Sequence, residues 1–218
     1  MDVSGSRPQW LAACLVAVLL ALTAASARAD DSAPAVFGGH GVTFSYPLTW
    51  QHIDGRYSVQ IGAPMWSEFF APLPPPVAPP DPTAPAPTPS PTPTPPSPGS
   101  FQDLVSISAY RITVSITKKT LPRYKSLIQQ TVMQLVTRGG GSMLAPGTRV
   151  TLGGLPGYRF EIAVPTAAGA TLQSRIIFVF KKKVEYFFNC QSLKDGPLAA
   201  ELASGCDQLT RSFRAGKH

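Results

Sequence analysis

The strongest hydrophobic pattern in the chain lies at residues 175–190, Arg-Ile-Ile-Phe-Val-Phe, then three lysines, then Val-Glu-Tyr-Phe-Phe-Asn-Cys. Side chains of a strand alternate between its two faces. Ile176, Phe178 and Phe180 therefore point one way, and Ile177 and Val179 the other. Beyond the lysines, Val184, Tyr186, Phe188 and Cys190 share one face. Phe187 takes the opposite face, between Glu185 and Asn189. Apolar residues on both faces predict a hairpin buried from both sides, with Lys181, Lys182 and Lys183 as its turn. Helices elsewhere in the chain are the expected cover.

Weaker alternation marks further strands. Val42, Phe44 and Tyr46 form one that Pro47 closes; a glycine-rich turn with His40 precedes it, and Val36 and Phe37 begin the core. Trp50 and His52 lead to a turn at Asp54-Gly55 and a short strand at 57–61. These strands alone bury too little to stand by themselves. Trp66, Phe69 and Phe70 fall at helical spacing and predict a short helical turn with its aromatics on one side. Residues 104–114, 149–152 and 158–164 read as strands. A helix is predicted over 122–138, with Thr120 as its cap and Pro122 in its first turn. Its apolar side is Tyr124, Leu127, Ile128, Thr131, Leu135 and Val136. Three glycines from Gly139 end it, because glycine tolerates a left-handed exit. A last helix over 197–214 carries Leu198, Leu202, Cys206, Leu209 and Phe213 on one side.

Residues 71–100 follow no period. Proline recurs there with Ala, Thr and Ser, a composition that prefers polyproline II and cannot build a core. The piece before it is too small to fold alone, so the stretch is expected to be a disordered proline-rich insert within one domain at 30–218. Its Thr and Ser residues are acceptors for O-linked sugar in an exported protein.

Composition changes the picture at the N-terminus. Arg7 precedes an apolar run at 10–22, and small residues end in Ala27-Arg28-Ala29. This is the form of a secretory signal peptide at 1–29, with cleavage after Ala29. The run is shorter than the roughly 20 residues of a membrane span. A lipoprotein-like box ending at Cys14 begins the apolar run, whereas a true box would end it. The chain of 218 residues suits one domain, and only 14% of residues are charged while 24 are prolines. The formal charge of +7 suits anionic surroundings, though an excess of this size also serves solubility alone.

After cleavage two cysteines remain, Cys190 and Cys206. Exported proteins enter an oxidising compartment, where paired thiols persist. A metal pair would want more Cys or His nearby, and a redox pair would want Cys-x-x-Cys. A structural disulfide is the expectation, and it would pin the last helix to the central strand.

Motifs of catalysis are missing from the sequence: G-x-S-x-G, H-E-x-x-H, the P-loop and G-x-G-x-x-G do not occur. His40, His52 and Asp54 offer a small metal site or an acid–base pair, and they serve equally well as turn residues. Glu161 and Glu185 stand on strands in apolar company, either as coupled carboxylates or paired with Arg159, Arg175 or the lysines. Lys181, Lys182 and Lys183 form a solvated turn or a basic patch for an anionic partner. Trp66 either caps the core or belongs to an adhesive patch. No cofactor is expected.

Residues 41–47 (Gly-Val-Thr-Phe-Ser-Tyr-Pro) with Trp50, the 152–158 turn (Leu-Gly-Gly-Leu-Pro-Gly-Tyr), the 175–190 hairpin, and the ending Cys206 to Ser212-Phe213 together resemble the secreted PsbP-like family, of the PsbP/DcrB/LpqN type. The resemblance implies an α+β fold in which a mostly antiparallel sheet is covered by helices on both faces, an α/β/α sandwich. It also implies a mostly non-catalytic role in binding or in assisting larger assemblies. No site residue carries over. The proline-rich insert departs from the family's usual short loop. The expected function is a non-enzymatic binding or accessory module of the cell envelope, secreted or periplasmic and monomeric. Its expected partner is an envelope component, anionic by charge complementarity, and not nucleic acid. The alternatives are a hydrolase or other enzyme using His40 and His52, and a glycosylated structural spacer.

Overall fold

Antiparallel pairing organises the whole molecule. The computed structural model describes residues 33–53, 64–73 and 102–216. The expected signal peptide, Asp54, the expected strand at 57–61 and residues 74–100 of the proline-rich stretch lie outside the described residues.

The elements run β1 (Ala35–Gly39), β2 (Val42–Tyr46), β3 (Trp50–Ile53), β4 (Trp66–Pro72), β5 (Leu104–Ile116), α1 (Lys125–Arg138), β6 (Ser142–Leu152), β7 (Leu155–Pro165), β8 (Thr171–Leu193), α2 (Ala199–Ser212) and β9 (Arg214–Ala215). They build a small sheet of order β1-β2-β9 and a large one of order β3-β4-β5-β8-β7-β6. Every pairing is antiparallel. Among the described residues the fold is α+β, two antiparallel sheets with two α-helices.

The long element β8 has 23 extended residues. As a straight strand it would hold Phe178 and Phe187 some 30 Å apart, at about 3.3 Å per residue. Their ring centroids are 5.2 Å apart. At the base, the Lys194 N–H donates to the Thr171 carbonyl at 2.8 Å. The strand therefore folds back on itself at the lysines, where Lys182 takes a left-handed φ of 55°. Its first arm pairs with β7 and its second with β5. The expected central hairpin thus occupies two places in the large sheet.

The two arms divide the core as the alternation requires. Ile177, Val179, Tyr186, Phe188 and Cys190 join Leu202, Cys206, Leu209 and Phe213 of the C-terminal region, together with Val42 and Phe44 of the small sheet. Ile176 and Phe180 join Tyr158, Phe160 and Ile162 of β7 and Val132 and Val136 of α1 in a second cluster. Each fully buried Phe contributes roughly 1.5–3 kcal/mol. The second helix comes close to β3: a Cβ on Gly205 would sit 2.1 Å from Cζ2 of Trp50, so glycine is required there. The Trp50 indole N–H donates to Glu201 Oε1 at 3.1 Å, and the Ser45 N–H donates to Ser212 Oγ at 2.8 Å. These bonds hold both ends of α2.

Several sequence expectations change. Residues 66–72 form a strand, not a helical turn. Their aromatic spacing fits both periods over so short a stretch, and pairing with β3 and β5 decides it. The strand includes Ala71 and Pro72, so two residues read as insert belong to the sheet. The first helix begins with a 3-10 turn at Leu121–Tyr124, and the α-helix starts at Lys125. Thr120 Oγ1 accepts from the Thr117 N–H at 2.9 Å instead of capping the helix. The glycine exit holds, with Gly140 at φ 69°. The strand expected at 149–152 begins at Ser142, and the last helix starts at Ala199.

Candidate functional site

Two places gather unusual chemistry. The first is a groove between α1 and the large sheet. Strand alternation puts Glu185 on the same face as Phe187, and hairpin pairing brings Phe178 beside them. Tyr110 stands opposite Glu185 across the β5–β8 ladder. The helix supplies Thr131, Val132 and Leu135, with Arg138 at the edge. These residues line a cavity of about 300 Å³. A second cavity of about 520 Å³ shares Thr131, Phe178 and Glu185 with it and continues past Tyr124, Ile128 and Phe180 to Arg111, Val114 and Leu127. The two form one apolar trough with a single carboxyl on its floor. Burial pushes that Glu185 carboxyl up to about 7. Burial also raises the Tyr110 phenol, against a lowering hydrogen bond from Ser108 and with a smaller raising contribution from the Glu185 charge. Glu185 has no ion-pair partner among the described residues, so the expected pairing with the lysines does not occur.

The second place lies where the small sheet meets the large one. His40, in the β1–β2 turn, takes a left-handed φ of 52°. Its Nε2 lies 2.8 Å from Glu68 Oε1. His52 on β3 turns its Nε2 to the other oxygen of the same carboxylate. The rings are held from behind: His40 stacks on Trp66 at 4.8 Å, and His52 on Phe70 at 5.0 Å. The Glu68 side chain is 12% exposed and each histidine 42%. One carboxylate thus clamps a turn of the small sheet to an edge of the large one. Among the described residues no group of three His, Cys, Asp or Glu is placed to hold a metal ion. The structure brings His40 and His52 together around Glu68, and Asp54 lies outside the described residues.

The remaining expected residues are placed as follows. Trp66 is half-buried against His40 and Tyr186, not an exposed adhesive patch. Cys190 and Cys206 lie at disulfide distance, with Cα atoms 6.1 Å apart. Glu161 meets Arg175 at 3.2 Å and Arg159 at 3.5 Å, and Arg175 also reaches Asp207. Lys181 donates to the Gly216 carbonyl, while Lys182 and Lys183 are exposed. The groove was not anticipated from the sequence. Its signal was Phe187, an aromatic residue between Glu185 and Asn189 on the otherwise polar face of the second arm.

No family model and no curated protein matches the sequence. Solved structures do. The solution structure of cyanobacterial PsbP from Synechocystis sp. PCC 6803 matches with a TM-score of 0.51 at 14% identity, covering 87% of this chain and 97% of that one. LpqN of Mycobacterium tuberculosis, a protein involved in cell envelope biogenesis, matches at 0.48 and 12% identity over 85% and 90%. A Bacteroides thetaiotaomicron protein matches at 0.43 and 10% identity; the match covers 82% of this chain and 46% of that longer one. On the match to the cyanobacterial protein over 97% of its length, this chain has a PsbP-like fold.

Proposed function

We propose that the protein is a non-enzymatic binding module of the cell envelope whose site is the groove beside α1. The observation that carries this reading is a carboxyl group, unpaired among the described residues, on the floor of an apolar trough. Binding sites of small molecules are mostly apolar, enclose about 300–1,000 Å³ and hold a few placed polar groups. The trough matches that description and suits an elongated apolar molecule with one hydrogen-bonding head. The ligand's body lies along Phe178, Phe180 and Phe187, and its head reaches Glu185 and Tyr110.

The finer architecture belongs to the same proposal: an α/β/α arrangement, with α1 on one face of the large sheet and α2 with the small sheet on the other. The division of β8 side chains between two core clusters supports it. Export through a leader at 1–29, a single domain around the proline-rich insert, and a Cys190–Cys206 disulfide are further parts of the proposal. The cyanobacterial PsbP neighbour supports the fold, and the envelope role rests on the leader and the cysteine pair. Among the described residues no helix is long and apolar enough to cross a membrane. The enzymatic reading at His40 and His52 is the weaker one, because both Nε2 atoms are already engaged by Glu68.

Thr131 lines both halves of the trough, so Thr131→Trp should fill it. The test is a fluorescence titration with a dansylated long-chain amine. Wild type is expected to bind it saturably, and the variant to lose binding while keeping the wild-type circular dichroism. Equal binding by the two, or no saturable binding by wild type, would remove the groove as the site.

A further inference from the structure

The charged residues of this molecule are sorted by end. The tip of the β8 hairpin exposes Lys182 and Lys183. The ladder pairs Lys182 with Ile116, which brings Lys118 and Lys119 to the same end. Arg149 is tied there by a 3.1 Å bond from its Nη2 to the Lys118 carbonyl. Lys181 reaches the Gly216 carbonyl, which places Arg214 beside the same turn. Each of Lys118, Lys119, Arg149, Lys182, Lys183 and Arg214 is exposed.

The described acids are elsewhere. Asp103 accepts from the Leu193 N–H at the base of the hairpin, and Asp195 follows it. Glu161 and Asp207 meet at Arg175, and Glu201 is held by Trp50. Arg175 is seven positions from Lys182, or roughly 20 Å along the strand. That exceeds two screening lengths of about 8 Å at physiological salt, so these acids do not neutralise the tip. Glu68 is engaged by two histidines, and Glu185 is turned into the groove.

We propose that this cationic tip docks the protein on a membrane surface rich in anionic phospholipid. Charge complementarity selects an anionic surface, and the apolar residues at the same end select lipid. Val114 is 42% exposed and Leu127 59% exposed, and both stand at the mouth of the groove beside Arg111. Cations around exposed aliphatic side chains fit the headgroup and acyl boundary of a bilayer. Single-stranded nucleic acid would want aromatic stacking platforms. The large exposed hydrophobic side chains among the described residues are all aliphatic or Met. Docking in this pose turns the mouth of the groove toward the lipid.

The test is cosedimentation of the whole protein with vesicles of phosphatidylglycerol in phosphatidylcholine, against phosphatidylcholine alone. The readout is the ratio of the two partition coefficients, which cancels any contribution from the apolar run at residues 10–22. Wild type is expected to prefer the anionic vesicles and to lose the preference as salt rises. A cation near an anionic surface contributes roughly fivefold to partitioning, so K182E/K183E should lower the ratio by more than about tenfold. K118E/K119E, on a different connection, should do the same and covers any misfolding of the hairpin variant. K194E reverses a charge at the base of the hairpin, at the opposite end from the tip, and should leave the ratio within about twofold of wild type, the scale of one screened charge. No preference in wild type, an unchanged ratio in both tip variants, or an equal fall in the distal variant would overturn the proposal. Tighter binding to single-stranded DNA than to the anionic vesicles would overturn it as well, in favour of a nucleic-acid surface. Thr131→Trp should leave the ratio unchanged, so docking and groove binding fail separately.

Discussion

At the scale of single residues, Glu185 is the least ordinary group in the molecule. Its carboxyl sits near 7 when folded, against an ordinary 4.5. Between those values the folded protein keeps a proton that the unfolded chain releases. Stability from this group is therefore complete below pH 4.5 and is lost as pH rises through 7. The total loss is about 3 kcal/mol, from 1.36 kcal/mol per pH unit. Glu185→Gln remains neutral and is expected to flatten this part of the profile, as read by urea unfolding at about pH 5 and about pH 8. A variant profile parallel to that of wild type would show that Glu185 is not the source. The sequence held the groove's polar floor in plain view but not its enclosure, since enclosure depends on where α1 lands. It likewise offered His40 and His52 without Glu68, because Glu68 stood in a stretch whose aromatics read as helical.

Among the elements, α2 was the most legible and α1 only in part. The stripe Leu202, Cys206, Leu209 and Phe213 is buried as its spacing implies. On α1 the buried positions are Val132 and Val136, while Leu127 is 59% exposed. An apolar stripe marks a face but does not say that part of that face borders an open trough. Strand β4 was misread because seven residues cannot separate a period of 3.6 from pairing on both edges. The joint between α2 and β8 is the most testable. Cys206 is fully buried, Cys190 is 8% exposed, and they are 16 residues apart. Closing a loop of that size restricts the unfolded chain, and losing such a bond typically costs about 2–5 kcal/mol. Cys206→Ser is expected to lower unfolding stability by that amount in denaturant titration. Mass spectrometry of the unreduced, alkylated wild type should show neither cysteine modified. Alkylation of both without reductant would mean the bond is not formed.

The whole molecule is stitched from both ends of the chain. The C-terminal strand β9 pairs with β2, and β4 from the N-terminal side pairs with β5 beyond the proline-rich stretch. That long-range stitching was legible only as a need, because the first strands are too few to fold alone. Which strands would receive them depends on three-dimensional register. Phe70 pairs with Val105. The described strands on either side of residues 74–101 are therefore neighbours in the sheet. Lengthening a loop costs only about 0.6 kcal/mol per doubling. Replacing 74–101 by a short Gly/Ser link is therefore expected to keep or slightly raise the melting temperature. A fall of many degrees would show that this stretch packs on the domain.

That adjacency also bears on how the chain can be divided. Residues before the join supply β1 to β4, and residues after it supply β9, which pairs with β2, and β5, which pairs with β4, together with Cys190 and Cys206. The two pieces are complementary halves of one sheet system, joined covalently at a place where pairing already brings them together. Cut there, the protein would become a heterodimer, its folding would become second order, and its melting temperature would rise with concentration. In the intact chain the join acts as a tether that sets the effective concentration of one half for the other.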